Sequence, residues 1–369
     1  MATGPTASRA QLNVSRSRWL GRVRSSLRRL SPLVVLVILA ACGTTEQPLN
    51  SLDPLGPIAE RIDGLFWLVF WIATAIFFVV QGGLLFSVIF FRDRKGRTEE
   101  PKQTHGNVKL EILWTAIPTL ILAGIAVPTF QAVFELADCP SDALTVEVIG
   151  HQWWFEYRYP DFDVTSANVM VIPTGTEVCA EMTSDDVLHN FWVPKLNGKR
   201  YLVPGQQTEL RLRADEPGEF WGHCAEFCGL SHAKMRARVE ALVPSDFDAW
   251  VVNQQTPQEV LADDSLAAQG QQVFLNGACT GCHNLNGVND INVDELGVYG
   301  PDLTHFATRN VFAGASLPAG LNPTDADWEA ELRLWLSDPP TVKPGSFMGD
   351  QNLTAEDIDA VIAYLRTLD

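Results

Sequence analysis

Basic side chains are scarce over most of this chain. Of its 27 lysines and arginines, seven are arginines at positions 9, 16, 18, 22, 24, 28 and 29, in a leader without a single acid. Removing those seven leaves 20 bases against 44 acids beyond residue 41, a net of −24. Such a surface excludes nucleic acid and favours cationic protein partners, whose encounter it speeds. Cysteine is also sparse. Five of the seven, Cys42, Cys224, Cys228, Cys279 and Cys282, sit in short motifs, so they do not form a general disulfide framework. No second Cys-x-x-Cys exists, which argues against a zinc ribbon. Methionine occurs once after residue 245, as Met348.

What is present falls into a clear order. Residues 1–31 are basic and Ser-rich, residues 32–41 are apolar, and Leu39-Ala-Ala-Cys42 follows. This is the layout of an export signal, with an apolar run too short to span a bilayer. Leu-Ala-Ala-Cys resembles the bacterial lipoprotein signal, which implies a lipid on Cys42; an ordinary cleavage site beside a chance cysteine is the alternative.

Residues 62–91 and 110–130 are long apolar stretches, each sufficient to cross about 30 Å of hydrocarbon. The loop between them holds Arg92, Arg94, Lys95, Arg97, Lys102 and Lys109. Positive loops stay in the cytoplasm, so both ends of the hairpin are expected outside. Glu111 opens the second span, and an ionisable group there is either an interfacial side chain or a functional one.

From about residue 143 the pattern changes to short strands. Leu144–Ile149 and Thr208–Arg213 alternate, with Pro and Gly at 173–175, 204–205 and 217–218. This predicts a small Greek-key β-barrel or sandwich. Within it, Cys224-Ala-Glu-Phe-Cys228-Gly-Leu-Ser-His232-Ala-Lys-Met235 gathers two thiols, an imidazole and a thioether. Soft sulfur and imidazole ligands select copper over hard cations. A second His is expected from another strand, and His189 is the candidate. Cys139 and Cys179 are read as a disulfide or as buried free thiols, while His151 and His223 are read as structural.

A polar connector, 246–262, leads to Gly270-Gln-Gln-Val-Phe-Leu-Asn-Gly-Ala-Cys279-Thr-Gly-Cys282-His283. Cys-x-x-Cys-His is the attachment site of c-type haem. An amphipathic helix precedes it, Gly300-Pro301 follows, and Met348 sits before a final helix predicted over 354–368. Met is the distal ligand expected of an electron-transfer haem, and His305 is read as structural. Residues 246–369 hold 19 acids and 4 bases, so this is no basic carrier.

The copper loop with its remote His resembles cytochrome c oxidase subunit II, whose pattern is a His followed by Cys-x-Glu-x-Cys-x3-His-x2-Met. The resemblance covers residues 60–369 and implies a multidomain membrane protein. Its parts would be a two-helix transmembrane hairpin, a cupredoxin-like Greek-key β-barrel and an all-α class I cytochrome c domain. The expected limits are a signal peptide at 1–41, the N-terminal segment and hairpin at 42–137, the copper domain at 138–245, the linker at 246–262 and the cytochrome at 263–369.

The family implies that Cys224 and Cys228 bridge two coppers, that His189 and His232 bind one each, and that Met235 and the Glu226 carbonyl complete the set. Glu226 would also reach a magnesium ion shared with subunit I. Haem c would be bound by Cys279 and Cys282, with His283 and Met348 axial. Trp153 maps to the point where electrons arrive, Asp186 to an acid that docks the carrier, and Glu111 to the mouth of a proton channel. Tyr201 and Gln206 depart from the family's Asp and Arg.

The resemblance further implies oxidase subunit I, and with it subunit III, as partners in a bacterial plasma membrane. The donor would be a cytochrome c or the cytochrome bc complex. No oxygen-binding or other catalytic site is expected on this chain. The competing readings are a tethered cupredoxin–cytochrome shuttle, which the hairpin and Glu111 disfavour, and a nitrous oxide reductase, which would need a propeller domain for which there is no room.

Overall fold

Two long helices and two β-sheets precede a helical C-terminal region. The computed structural model describes residues 47–92, 103, 105–262, 264–289, 300–319 and 324–369. The leader, Cys42, and Arg94, Lys95, Arg97 and Lys102 of the basic loop lie outside the described residues.

Helix α1 (Pro57–Phe90) begins with a proline, whose missing N–H is unneeded at the first helical position. Helix α2 (Val108–Leu136) is capped by the Asn107 side chain, which accepts from the Lys109 and Leu110 N–H groups. Both helices begin before the expected spans, and α2 also runs past its end, whereas α1 stops at Phe90. Apolar runs mark only the hydrocarbon-facing middle, whereas the helical hydrogen bonds continue through Glu60 and Arg61 of α1 and Lys109, Gln131 and Glu135 of α2. Most apolar side chains of both helices face outward, among them Phe78, Leu85, Leu120 and Phe134. That surface fits lipid and would be costly in water.

The base of the hairpin is fastened to the β domain. Arg61 pairs with Glu135 at 3.0 Å. Arg211 Nη1 donates to the Glu135 carbonyl at 2.7 Å, and Lys195 pairs with Asp53 at 2.7 Å. Gly56 passes so close that a Cβ would lie 2.2 Å from the Arg213 carbonyl oxygen.

Among the described residues, ten strands form two five-stranded sheets. One contains, in spatial order, β3 (Val164–Ala167), β2 (Trp154–Tyr159), β1 (Leu144–His151), β5 (Val178–Ser184) and β8 (Thr208–Leu212). The other runs β4 (Val169–Pro173), β10 (Arg236–Leu242), β9 (Gly218–Cys224), β6 (His189–Trp192) and β7 (Lys199–Leu202). Alternate residues of the two sheets interdigitate in one core, including Val146, Val148, Phe155, Met170, Ile172, Phe191 and Val239. Cys139 and Cys179 are joined as a disulfide, which ties the segment after α2 to β5.

The stretch 246–262, expected as a polar connector, opens inside helix α3 (Pro244–Gln254). Phe247 and Val251 lie four apart on one face and are buried against Val169, Val171, Val311 and Ala315. Two apolar positions among polar neighbours are a weak sequence signal, and tertiary packing supplies the rest.

Among the described residues, the helices of the C-terminal region are α4 (Leu266–Asn276), α5 (Asp325–Ser337), the short α6 (Pro339–Val342) and α7 (Ala355–Leu365). Helix α7 starts on a capping box between Thr354 and Asp357. It buries Ile358, Val361, Ile362 and Leu365. Helices α4 and α7 cross at Gly270, where a Cβ would lie 1.9 Å from the Ala360 carbonyl oxygen, so any side chain would push them apart.

Candidate metal centre and cofactor site

The copper-type loop hangs between two paired strands. Strand β9 ends on Cys224 and β10 starts on Arg236, and the Cys224 N–H donates to the Met235 carbonyl at 2.9 Å, closing the loop on itself. His189 opens β6, which pairs with β9 through Phe191 opposite Cys224. This pairing brings a His 35 residues upstream to the two thiols.

The resulting cluster is sulfur-rich and buried. The Cys224 and Cys228 sulfurs lie 3.7 Å apart. His189 Nδ1 is 3.9 Å from Cys224 Sγ, and His232 Nδ1 is 3.5 Å from Cys228 Sγ. Met235 Sδ is 3.8 Å from Cys228 Sγ, and the Glu226 carbonyl is 3.2 Å from Cys224 Sγ. His189 and Met235 are wholly buried, and the two cysteines nearly so. Every group predicted for this site converges on it. Two sulfurs at that separation are close enough for a metal ion to touch both, since a metal–thiolate bond is about 2.3 Å.

The protonation pattern suits a cation. The hydrogen bond with Cys228 pulls the Cys224 thiol down to about 3, against the opposing effect of burial. The same pairing pushes Cys228 up. The two sulfurs thus hold one proton between them, which metal binding would release.

His189 is oriented from behind. Its Nε2 donates to Asp186 Oδ1 at 2.7 Å, which leaves Nδ1 facing the sulfur. Burial opposes a charge on His189, but the bonds to Asp186 and Cys224 outweigh it and raise its pKa. Asp186 also accepts from the Gln152 N–H at 2.6 Å. This inward role was not apparent from the sequence, which marked Asp186 only as an acid on the docking surface.

Other predicted residues lie around the cluster. The Trp153 indole Nε1 donates to the Cys228 carbonyl at 3.0 Å, and the side chain is only 5% exposed. Trp153 packs against the 343–345 loop of the C-terminal region, with Lys343 Nζ bonded to its carbonyl and Gly345 against its ring. The Tyr201 hydroxyl bonds the Glu226 carboxylate, which raises the tyrosine's pKa. His151 is buried against Glu156 at 3.0 Å and stacked on Trp154, and His223 packs on Trp192, as structural histidines do. Glu111 Oε1 accepts from the Asn107 N–H at 3.1 Å and so helps to start α2.

The Cys-x-x-Cys-His motif follows α4 in a tight turn, Cys279–Gly281. His283 Nδ1 donates to the Pro301 carbonyl at 2.8 Å, which leaves Nε2 as the acceptor a haem iron requires. Desolvation lowers the His283 pKa and favours that neutral form. Met348 is half-buried against a cluster that includes Phe274, Leu285, Phe306, Trp328 and Cys279. His305 is buried with Nδ1 at 2.5 Å from the Asp369 carbonyl. Arg309 belongs to no motif that would mark it in advance. It is 5% exposed, donates to the Asp302 carbonyl, and its Nε and Nη2 have no partner among the described residues. A buried guanidinium with spare donors fits an anionic group such as a haem propionate.

Together, a lipid-facing hairpin, a two-sheet domain with a buried sulfur–imidazole cluster and a helical Cys-x-x-Cys-His region define a membrane-anchored electron-transfer subunit. Known proteins agree. The profile described as "Cytochrome C oxidase subunit II, periplasmic domain" matches residues 164–242. Its transmembrane counterpart matches 46–132, and "Cytochrome c" matches 267–369. Cytochrome c oxidase subunit 2 of Alkalihalophilus pseudofirmus is 38% identical, with 92% of this chain and 96% of the relative covered. The subunit 2 of Bacillus sp. strain PS3 is 34% identical, with 91% and 95% covered. The periplasmic domain of cytochrome oxidase subunit II from Bradyrhizobium japonicum is 28% identical over 32% of this chain and 97% of that chain, with a TM-score of 0.31.

The chain belongs to the cytochrome c oxidase subunit II family, with a cytochrome c domain at its C-terminal side. It is an electron-transfer subunit that associates with the haem-copper subunit I of a terminal oxidase, as a membrane protein with an extracellular domain. Its domains imply copper and haem c.

Proposed function

We propose that His189, Cys224, Cys228, His232, Met235 and the main-chain carbonyl of Glu226 hold two copper ions. Cys279 and Cys282 carry haem c, with His283 and Met348 as its axial ligands. Bound there, copper and haem supply one-electron redox couples. The chain's own residues do the rest. The paired sulfurs share the ligand charge, Asp186 holds His189 in its tautomer, and burial keeps water from the cluster. The cytochrome region receives the electron, the copper loop passes it to subunit I, and oxygen reduction belongs to that other chain. The single observation that carries this reading is the 3.7 Å sulfur pair flanked by two imidazoles and a thioether.

Finer assignments follow the same resemblance. The Glu226 carboxylate contributes to a magnesium ion at the subunit I border, and Glu111 lies at a proton-channel mouth. Trp153 receives the electron from the chain's own cytochrome region, and Asp186 contributes to the acidic docking face. Cys42 carries a lipid after removal of residues 1–41. The subunit works in a bacterial plasma membrane, with subunit III alongside and a cytochrome c or the cytochrome bc complex as donor.

The test is co-purification after mild solubilisation, with metal analysis and visible and EPR spectra. Two coppers with a mixed-valence signal, one haem c and an a-type haem partner are expected. Haem c alone, or a single copper or zinc in the cluster, would overturn the reading.

A further inference from the structure

The loop that leads to Met348 is fastened to the copper loop at three consecutive residues. The Val342 carbonyl accepts from Lys234 Nζ. Lys343 Nζ donates to the Trp153 carbonyl at 2.5 Å and to the Ala313 carbonyl at 2.9 Å. The Pro344 carbonyl accepts from Ser231 Oγ at 2.7 Å. Ser231 and Lys234 flank His232, and the Trp153 indole is bonded to the Cys228 carbonyl. Next in line, Gly345 adopts φ +82°, and a Cβ there would lie 2.6 Å from the Trp153 ring. Only a glycine lets this backbone rest on the indole.

We propose that Lys343 is the positioning residue that latches the Met348 loop onto Trp153, fixing the gap the electron crosses between the cytochrome region and the copper loop. This rests on the ligand assignments above.

Lys343 is 4% exposed, and a buried lysine without an acid is costly. No carboxylate offsets its charge among the described residues. Instead its amine bridges a carbonyl of the two-sheet domain and a carbonyl of the C-terminal region. An apolar side chain there would fill the space but strip both carbonyls of a donor. Burial, helped by the neighbouring Lys234 charge, brings its pKa down to about 7. Charged or neutral, the amine keeps N–H donors for both carbonyls. The latch sits beside an apolar contact in which Val311 and Ala315 pack on Val169, Val171, Phe247 and Val251. The Arg236 N–H also donates to the Gly314 carbonyl at 2.8 Å. The apolar patch holds the two regions together, and the lysine sets the register of the loop nearest the copper cluster.

The experiment uses the purified oxidase complex. Haem c is reduced by a light pulse from a ruthenium complex, and transfer to copper is followed optically. In the native complex this step should be insensitive to glycerol, because the regions are already docked. Lys343→Met should leave the haem c and copper spectra and the photoreduction of haem c intact. It should slow haem-to-copper transfer about tenfold, the order expected for losing two hydrogen bonds in the docked state, and make it fall with viscosity. Lys343→Gln, which is too short to span both carbonyls, should behave likewise.

An unchanged transfer rate in either variant with intact spectra would overturn the proposal. Amide hydrogen exchange on the native complex tests the latch without a variant. The Arg236 amide, which donates to the Gly314 carbonyl across the contact, and the Val342, Lys343 and Ser346 amides should be protected like the rest of strand β10, and fast exchange there would also overturn it. Missing haem or mixed-valence copper signals in the native complex would instead sink the ligand assignments.

Discussion

The Asp186 carboxylate lies 2.7 Å from His189 Nε2, on the side of the ring opposite the thiols. A carboxylate behind a metal-binding imidazole fixes its tautomer and aim, and losing such a partner typically costs 10–100-fold in metal affinity. Asp186→Asn should therefore retain the fold yet release copper to a chelator on the order of ten to a hundred times more readily. Equilibrium competition with a calibrated copper chelator, read by EPR, checks this. Native-like retention would show that Asp186 serves only the outer surface.

Cys228 sits between Cys224, His232 and Met235, at 3.7, 3.5 and 3.8 Å from their ligand atoms. Cys228→Ser replaces a soft ligand with a hard oxygen at the centre of the cluster. The mixed-valence EPR signal should disappear while the haem c spectrum persists. An unaltered copper signal would refute the bridging role.

Much of this was legible because the signals are local. The Cys224–Met235 loop and the Cys279–His283 motif each carry their chemistry within a dozen residues, and the two spans are read from unbroken apolar runs. His189 was found because the loop lacked a second imidazole. The rest depends on tertiary contacts. A separation of 40 residues does not pair Cys139 with Cys179. Asp185 and Asp186 look alike as turn acids, and only the fold turns Asp186 towards His189. Arg309 and Lys343 are isolated bases in an acidic region, and their burial becomes visible only once the domains are packed. Helix α3 was hidden because Phe247 and Val251 gain meaning from Val311 and Ala315 across the chain.

Stability of the two-sheet domain should fall in acid through Glu156. This carboxylate is 7% exposed and bonded by His151 and Arg158. Burial alone would raise its pKa, but the bonds and charges of His151 and Arg158 outweigh that and hold it below the ordinary glutamate value. A depressed folded-state pKa stabilises the fold fully above the unfolded value, and the gain drains away as pH drops through the folded one. Glu156→Gln should thus cost about 1–3 kcal/mol at pH 7, with the gap from the native protein closing below the ordinary carboxylate range. Thermal melts of both proteins from pH 7 to pH 3 provide the check, and a gap that stays constant with pH would rule Glu156 out as the source.

Met348 is the only methionine beyond residue 245, and it packs half-buried against the cluster that contains Cys279 and Leu285. His283 already directs Nδ1 to Pro301, which leaves Nε2 as an acceptor for a haem iron, and Met348 would supply a soft second donor. Met348→Ala removes that donor without altering the Cys279 and Cys282 attachment. The haem should turn high-spin or take a replacement ligand, its potential should fall because the thioether favours the reduced iron, and the weak charge-transfer band of methionine–iron ligation should vanish. Redox titration with visible and near-infrared spectra reads all three. A native spectrum and potential would show that Met348 belongs to the core and that another residue holds the iron.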